Sequence, residues 1–72
     1  MNTSPFEASR DRAARDRFRG RRAAISDHRH EGGYTSQYAR DKAREATTGR
    51  DREYFNGYAD TMHEFEMRAR RV

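Results

Sequence analysis

Two clusters hold the side chains whose types and spacing could do chemistry. Arg10, Arg12, Arg15, Arg17, Arg19, Arg21 and Arg22 place seven guanidiniums within thirteen residues, against Asp11 and Asp16. A guanidinium is a planar fork of donors that grips a phosphate or carboxylate at two points. The chemistry of this stretch is therefore capture of an anionic surface. The second cluster, Asp27-His28-Arg29-His30-Glu31, has metal-like residue types, with His63 as a distant third imidazole. Two histidines at i,i+2 diverge on a helix, and Arg29 between them opposes a cation, so a solvated loop and no metal ion is expected. Cysteine is absent, which removes disulfides, thiolate ligands and a cysteine nucleophile. There is no phosphate-cradling glycine loop and no supported Ser–His–acid arrangement. No catalytic residue, no cofactor and no enzyme activity is expected, because the core is too small to wall a water-excluding pocket.

The elements that must position these residues have little apolar material. The chain has 72 residues, room for one modest domain. Ten of its apolar residues are Ala, Ile25 and Val72 are the branched aliphatics, and Leu is absent. Leu, Ile, Val and Phe together number six, far below the roughly 20% of a chain under which disorder becomes the prior. Phe, Tyr and Met must supply most of the buried area, and a partner or a second copy is expected to add the missing stability. The net charge is +4, with 16 bases against 12 acids, and fifteen of the bases are Arg. Such a balance suits an acidic partner surface. No run approaches the roughly 18 apolar residues that span a bilayer, and no signal-peptide core occurs, so a cytoplasmic protein without a membrane partner is expected.

Helix is expected throughout. Ser4-Pro5-Phe6-Glu7 reads as a capped start, Ser4 bonding the first turn and Glu7 completing a capping box. The first helix should run from Pro5 to about Arg19, with Asp11–Arg15 and Arg12–Asp16 as i,i+4 pairs. Gly20 should break or kink it, leaving Arg21 to His30 as a second short helix. Glu31-Gly32-Gly33 is the clearest boundary. A middle helix begins at Thr35 or Ser36 and ends near Thr47, with Gly49 as its C-terminal cap. Thr48 and Asp51 can start the last helix. There Phe55, Tyr58, Met62, Phe65, Ala69 and Val72 recur at 3-4-3-4-3 spacing, an a/d heptad seam, with Glu64–Arg68 and Glu66–Arg70 pairs on its flanks. Asn56-Gly57 either delays that helix or lets a neighbouring helix approach closely. The organisation expected is all-α, two or three short helices in a helical hairpin or small bundle. Residues 1–31 form an Arg-rich helical segment, 32–33 a Gly-Gly linker, and 34–72 a helical hairpin.

The Arg10–Arg22 stretch, interleaved with Ala13, Ala14, Phe18, Ala23 and Ala24, resembles the arginine-rich motifs of phage antiterminator and viral RNA-binding peptides. That resemblance implies a single helix lying in an RNA groove, with arginines on phosphates and an aromatic on a base. Asp11 and Asp16 depart from it. Phe18-Arg19-Gly20-Arg21-Arg22 is also similar to a fragment of an RGG-type segment. In general style the chain resembles the small accessory proteins of phages and mobile elements, which implies an inhibitor or adaptor of a host protein complex. The leading expectation is accordingly a non-enzymatic helical protein that binds another, acidic or nucleic-acid-handling, protein. Tyr34, Tyr38 and the Phe55–Val72 seam would then form the hairpin or interface, and the arginine face would dock. Direct RNA or DNA binding through the same arginines is the second expectation, and a homodimer formed through the heptad seam the third.

Overall fold

The computed structural model describes residues 5–71, with side chains from Arg10 onward. The chain is all-helical: α1 spans Pro5–Arg29, α2 Ser36–Glu45 and α3 Gly49–Arg70. The cap expected of Ser4 and Glu7, and Val72 of the heptad seam, lie outside the described residues and side chains.

Local chemistry explains two of the helix starts. Thr35 is the N-cap of α2, its hydroxyl accepting from the Tyr38 N–H at 3.1 Å. Thr48 caps α3 likewise, accepting from the Asp51 N–H at 3.2 Å. Each threonine satisfies one of the donors that a helix N-terminus leaves unpaired. Gly49 is the first residue of α3, not the cap of α2; α2 ends two residues earlier than expected, at Glu45, with Ala46 in extended conformation. Between α1 and α2, Glu31 (φ 55°) and Gly33 (φ 100°) adopt left-handed backbone conformations that reverse the chain.

Gly20 neither breaks nor bounds α1, which is continuous through it. Its cost in helix propensity, about 1 kcal/mol relative to Ala, is offset by tertiary packing. A Cβ on Gly20 would overlap the Tyr54 carbonyl oxygen and lie 2.8 Å from the Tyr58 nitrogen. A Cβ on Gly57 would overlap the Arg17 carbonyl group in the same way. The two glycines therefore form a crossing at which the backbones of α1 and α3 touch. Of the two readings for Gly57, close approach is the one realised.

α3 is the central element. α1 packs along it in the same direction: Arg17 meets Glu53 and Gly57, and His28 meets Phe65. α2 packs along it in the opposite direction: Ser36 meets Glu66, and Arg40 meets Asp60. α1 and α2 each pack on α3, and among the described residues they form no helix–helix interface with each other. Ala24 of α1, Ala39 of α2, and Tyr58, Ala59 and Met62 of α3 form one buried cluster, with Ala23 and Phe65 against it. The scarcity of branched aliphatics is thus met by alanines that let helices pack closely around one large side chain, Tyr58, which is 1% exposed.

The heptad seam is used within the chain. Tyr58 and Met62 are buried, Phe55 and Phe65 half-buried, and Ala69 is exposed. A helix flanked on two sides buries more than one stripe, so Gly57, Ala59 and Thr61, outside the a/d positions, are buried as well. Among the described residues, no helix is long and apolar enough to cross a membrane.

Candidate functional site

Because Gly20, Ala24 and Asp27 of α1 turn toward α3, the opposite side of the helix faces solvent. At 3.6 residues per turn that side carries Arg15, Arg22 and Arg29, with Arg12, Arg19 and Ser26 along its edge, the six spaced 3-4-3-4-3; Arg12 and Arg19 also line shallow grooves beside Arg50 of α3. All six are exposed. At 1.5 Å rise per residue the stripe is about 25 Å long. Among the described residues, none of its five arginines has a carboxylate within 4.0 Å. Asp11 lies one turn before Arg15 on the solvent side, whereas Asp16 is half-buried on the flank beside Arg50 and Tyr54 of α3.

The other arginines of the cluster have different surroundings. Arg17 pairs with Glu53 at 3.1 Å, and Arg21 with Glu64 at 3.8 Å. Both side chains remain about half exposed, so each bridge contributes little, about 0–1 kcal/mol. Arg10 is exposed on the same flank as Arg17 and Arg21. The pairs expected within single helices are replaced by contacts between helices. Glu64 pairs with Arg21 rather than Arg68, and Glu66 takes its hydrogen bonds from Ser36 rather than Arg70. Neither Asp11–Arg15 nor Arg12–Asp16 forms an ion pair.

Two hydrogen-bonded hubs tie α1 and α2 to α3. The Tyr58 hydroxyl donates to Asp27 Oδ2 at 2.6 Å and accepts from the Tyr34 N–H at 3.0 Å, tying α3 to the end of α1 and to the following loop. Burial, followed by the bond to the Asp27 carboxylate, pushes the Tyr58 phenol up to about 12. Glu66 accepts from both the Oγ and the N–H of Ser36, at 2.6 and 2.9 Å. These bonds to its charged form hold its carboxyl below the usual 4.5. A carboxylate at the first residue of α2 also complements the positive end of the helix dipole.

Aromatic groups flank the arginine stripe. Phe18 is 58% exposed. His28 lies in the last turn of α1 rather than in a loop, and its ring stacks on Phe65 with centroids 4.0 Å apart and planes 6° from parallel. His30 approaches the Ser26 carbonyl oxygen through Nδ1 at 2.7 Å. Tyr34 and Tyr38, both about half exposed, stack with centroids 4.7 Å apart, and the Lys42 ammonium stands 5.3 Å from the centre of the Tyr38 ring. Among the described residues, no three of His, Asp or Glu converge as metal ligands.

The structure therefore puts Arg15 and Arg22 on the outward face of α1 with Arg12 and Arg19 exposed at its edge, and places Arg10, Arg17 and Arg21 on the other flank. Arg29 completes the face. Its place in the 3-4-3-4-3 spacing is readable in the sequence, but only once α1 is known to continue past Gly20. The Tyr58–Asp27 and Glu66–Ser36 bonds join residues about thirty positions apart, with no local pattern to announce them. Compared with family models, curated proteins and solved structures, the chain matches none.

Proposed function

We propose that this protein binds nucleic acid through the outward face of α1, Arg12, Arg15, Arg19, Arg22 and Arg29 contacting consecutive phosphates. The observation that carries the proposal is the sorting of arginines by face. Arg17 and Arg21 pair with glutamates of α3, while Arg12, Arg15, Arg19, Arg22 and Arg29, all exposed, form no ion pair among the described residues. A row of guanidiniums that winds gradually along one helix suits a polyanion whose charges also repeat along its length. Charge distribution agrees with this. α1 carries eight arginines against four acids, an excess equal to the net charge of the whole chain, +4. α3 carries four against five. The large seam side chains that could have anchored a protein partner are partly consumed, since Tyr58 and Met62 lie in the chain's own core. Self-association through the heptad seam loses support for the same reason.

Fluorescence anisotropy with labelled RNA and DNA tests the reading. Replacing Arg15, Arg19 and Arg22 together by Gln should lower affinity and reduce the salt slope by about two to three, at roughly 0.7 per single-strand phosphate or 0.9 per duplex phosphate. Unchanged affinity and slope would refute it.

A second reading draws on the half-exposed Tyr34–Tyr38 stack. Tyr and Arg are the residues of protein interface hot spots, and their pairing supports an inhibitor or adaptor docking on an acidic protein, in the manner of a phage accessory protein. Recovery of one stoichiometric protein partner after nuclease treatment, lost on replacing Tyr34 and Tyr38 by Ser, would favour this reading over the first.

A further inference from the structure

A cleft of about 300 Å³ opens between the C-terminal half of α1 and the following stretch of α3, with Ile25, His28, Arg29, Phe65 and Arg68 in its wall. We infer that this cleft receives an unpaired base, so that the nucleic acid bound along α1 is single-stranded. The inference rests on the nucleic-acid reading above and adds to it the state of the strand and the place where a base is held.

Its size is at the lower limit of small-molecule pockets, enough for one planar group. Its wall holds a stack already formed, the His28 and Phe65 rings lying 4.0 Å apart and 6° from parallel. Phe65 is half-buried and packed against the core, while His28 is exposed. The imidazole is thus the outer plate of a stack whose inner plate is fixed, and a base can extend it by one layer. Base–aromatic stacking is indifferent to sequence and open only to bases freed from a duplex.

The surrounding charges say which part of a nucleotide belongs here. Arg29, adjacent to His28, is the last member of the outward stripe, and Arg68 supplies a second exposed guanidinium from α3. At the other end Arg21 is held by Glu64 at 3.8 Å. The C-terminus of α1 carries the negative pole of the helix dipole, which disfavours a phosphate in the cleft itself. Phosphates along Arg15, Arg22 and Arg29 with a base turned in against His28 satisfy both conditions. Exposed Phe18 and half-buried Ile25, seven residues apart, share one edge of the helix that leads to the cleft, giving the strand an apolar border beside its arginines.

The test titrates the full chain, by anisotropy, against a single-stranded oligonucleotide and against a hairpin duplex, the single strand also carrying 2-aminopurine. His28→Ala should weaken single-strand binding about fivefold or more, abolish the quenching of 2-aminopurine, and leave duplex binding within about twofold. His28→Phe, which keeps the plate and discards the imidazole nitrogens, should retain single-strand affinity. The helical circular dichroism of both variants should match the parent, as His28 is exposed. Equal losses on both substrates, or no loss on either, would overturn the base cleft. If the triple Arg→Gln variant binds as the parent does, the nucleic-acid reading fails. If that variant loses binding while His28→Ala is silent, the cleft alone fails.

Discussion

Tyr58 shows how much one side chain carries in a core built mostly of alanine. Its ring fills the space among α1, α2 and α3, and its hydroxyl answers both an Asp27 carboxylate and the Tyr34 N–H. Tyr58→Phe keeps the ring and removes both bonds, leaving a half-buried carboxylate short of a donor. The expected loss is about 1–3 kcal/mol, read from urea unfolding. The folded phenol titrates above its ordinary value of 10.0, near 12. Its contribution is therefore complete below pH 10 and disappears as pH rises through about 12, a loss that the Phe variant should not show. Glu66 has the opposite sign. Its folded carboxyl is depressed below 4.5 by the Ser36 bonds, so its contribution is present above that pH and fades as pH falls further. Thermal melts of Glu66→Gln should show lower stability at pH 7 and a shallower acid dependence below about pH 4.5 than the parent.

At the scale of elements, the decisive feature is the crossing of α1 and α3 through Gly20 and Gly57. An alanine in an exposed helix interior is worth about 1 kcal/mol over glycine, so propensity alone says that either replacement should stabilise. Geometry reverses the sign, because each Cβ would overlap backbone atoms of the facing helix, which have nowhere to rotate. Gly20→Ala and Gly57→Ala should each destabilise by about 3 kcal/mol or more, the upper range for overpacking, as measured by thermal circular dichroism. Gly49→Ala is the control. Nothing lies within 4 Å of the position its Cβ would take, and the substitution should be neutral or slightly stabilising. Should the Gly20 and Gly57 variants melt as high as the parent, the close crossing is wrong.

Across the whole molecule, the helices divide charge as well as shape. α3, rich in acids, lies between α1 and α2 and draws Arg17, Arg21 and Arg40 into bridges with Glu53, Glu64 and Asp60. The surplus of base is left on the exposed surface of α1, over a length of about 25 Å, where solvent and any polyanion meet it. Because those charges are exposed and serial, the loss of affinity in the triple arginine variant should be largest at low salt and nearly vanish at high salt. A contact dependent on the Tyr34–Tyr38 stack would change little over the same range. Salt titration of the parent and the variant thus separates an electrostatic surface from an apolar one.

The chain's own residues determine that it is helical, where α2 begins, and that its front segment carries the positive excess. Threonine caps, helical spacing and formal charge act over a few neighbouring positions, and those are readable along a line. Whether Gly20 ends a helix or seats one is decided only in three dimensions, because its propensity cost is local while its compensation comes from Tyr54 and Tyr58, more than thirty residues away. The same holds for the division of the arginines. One face becomes an interior contact and the other a surface only when α3 lies against α1, and until then all seven guanidiniums of Arg10–Arg22 look alike.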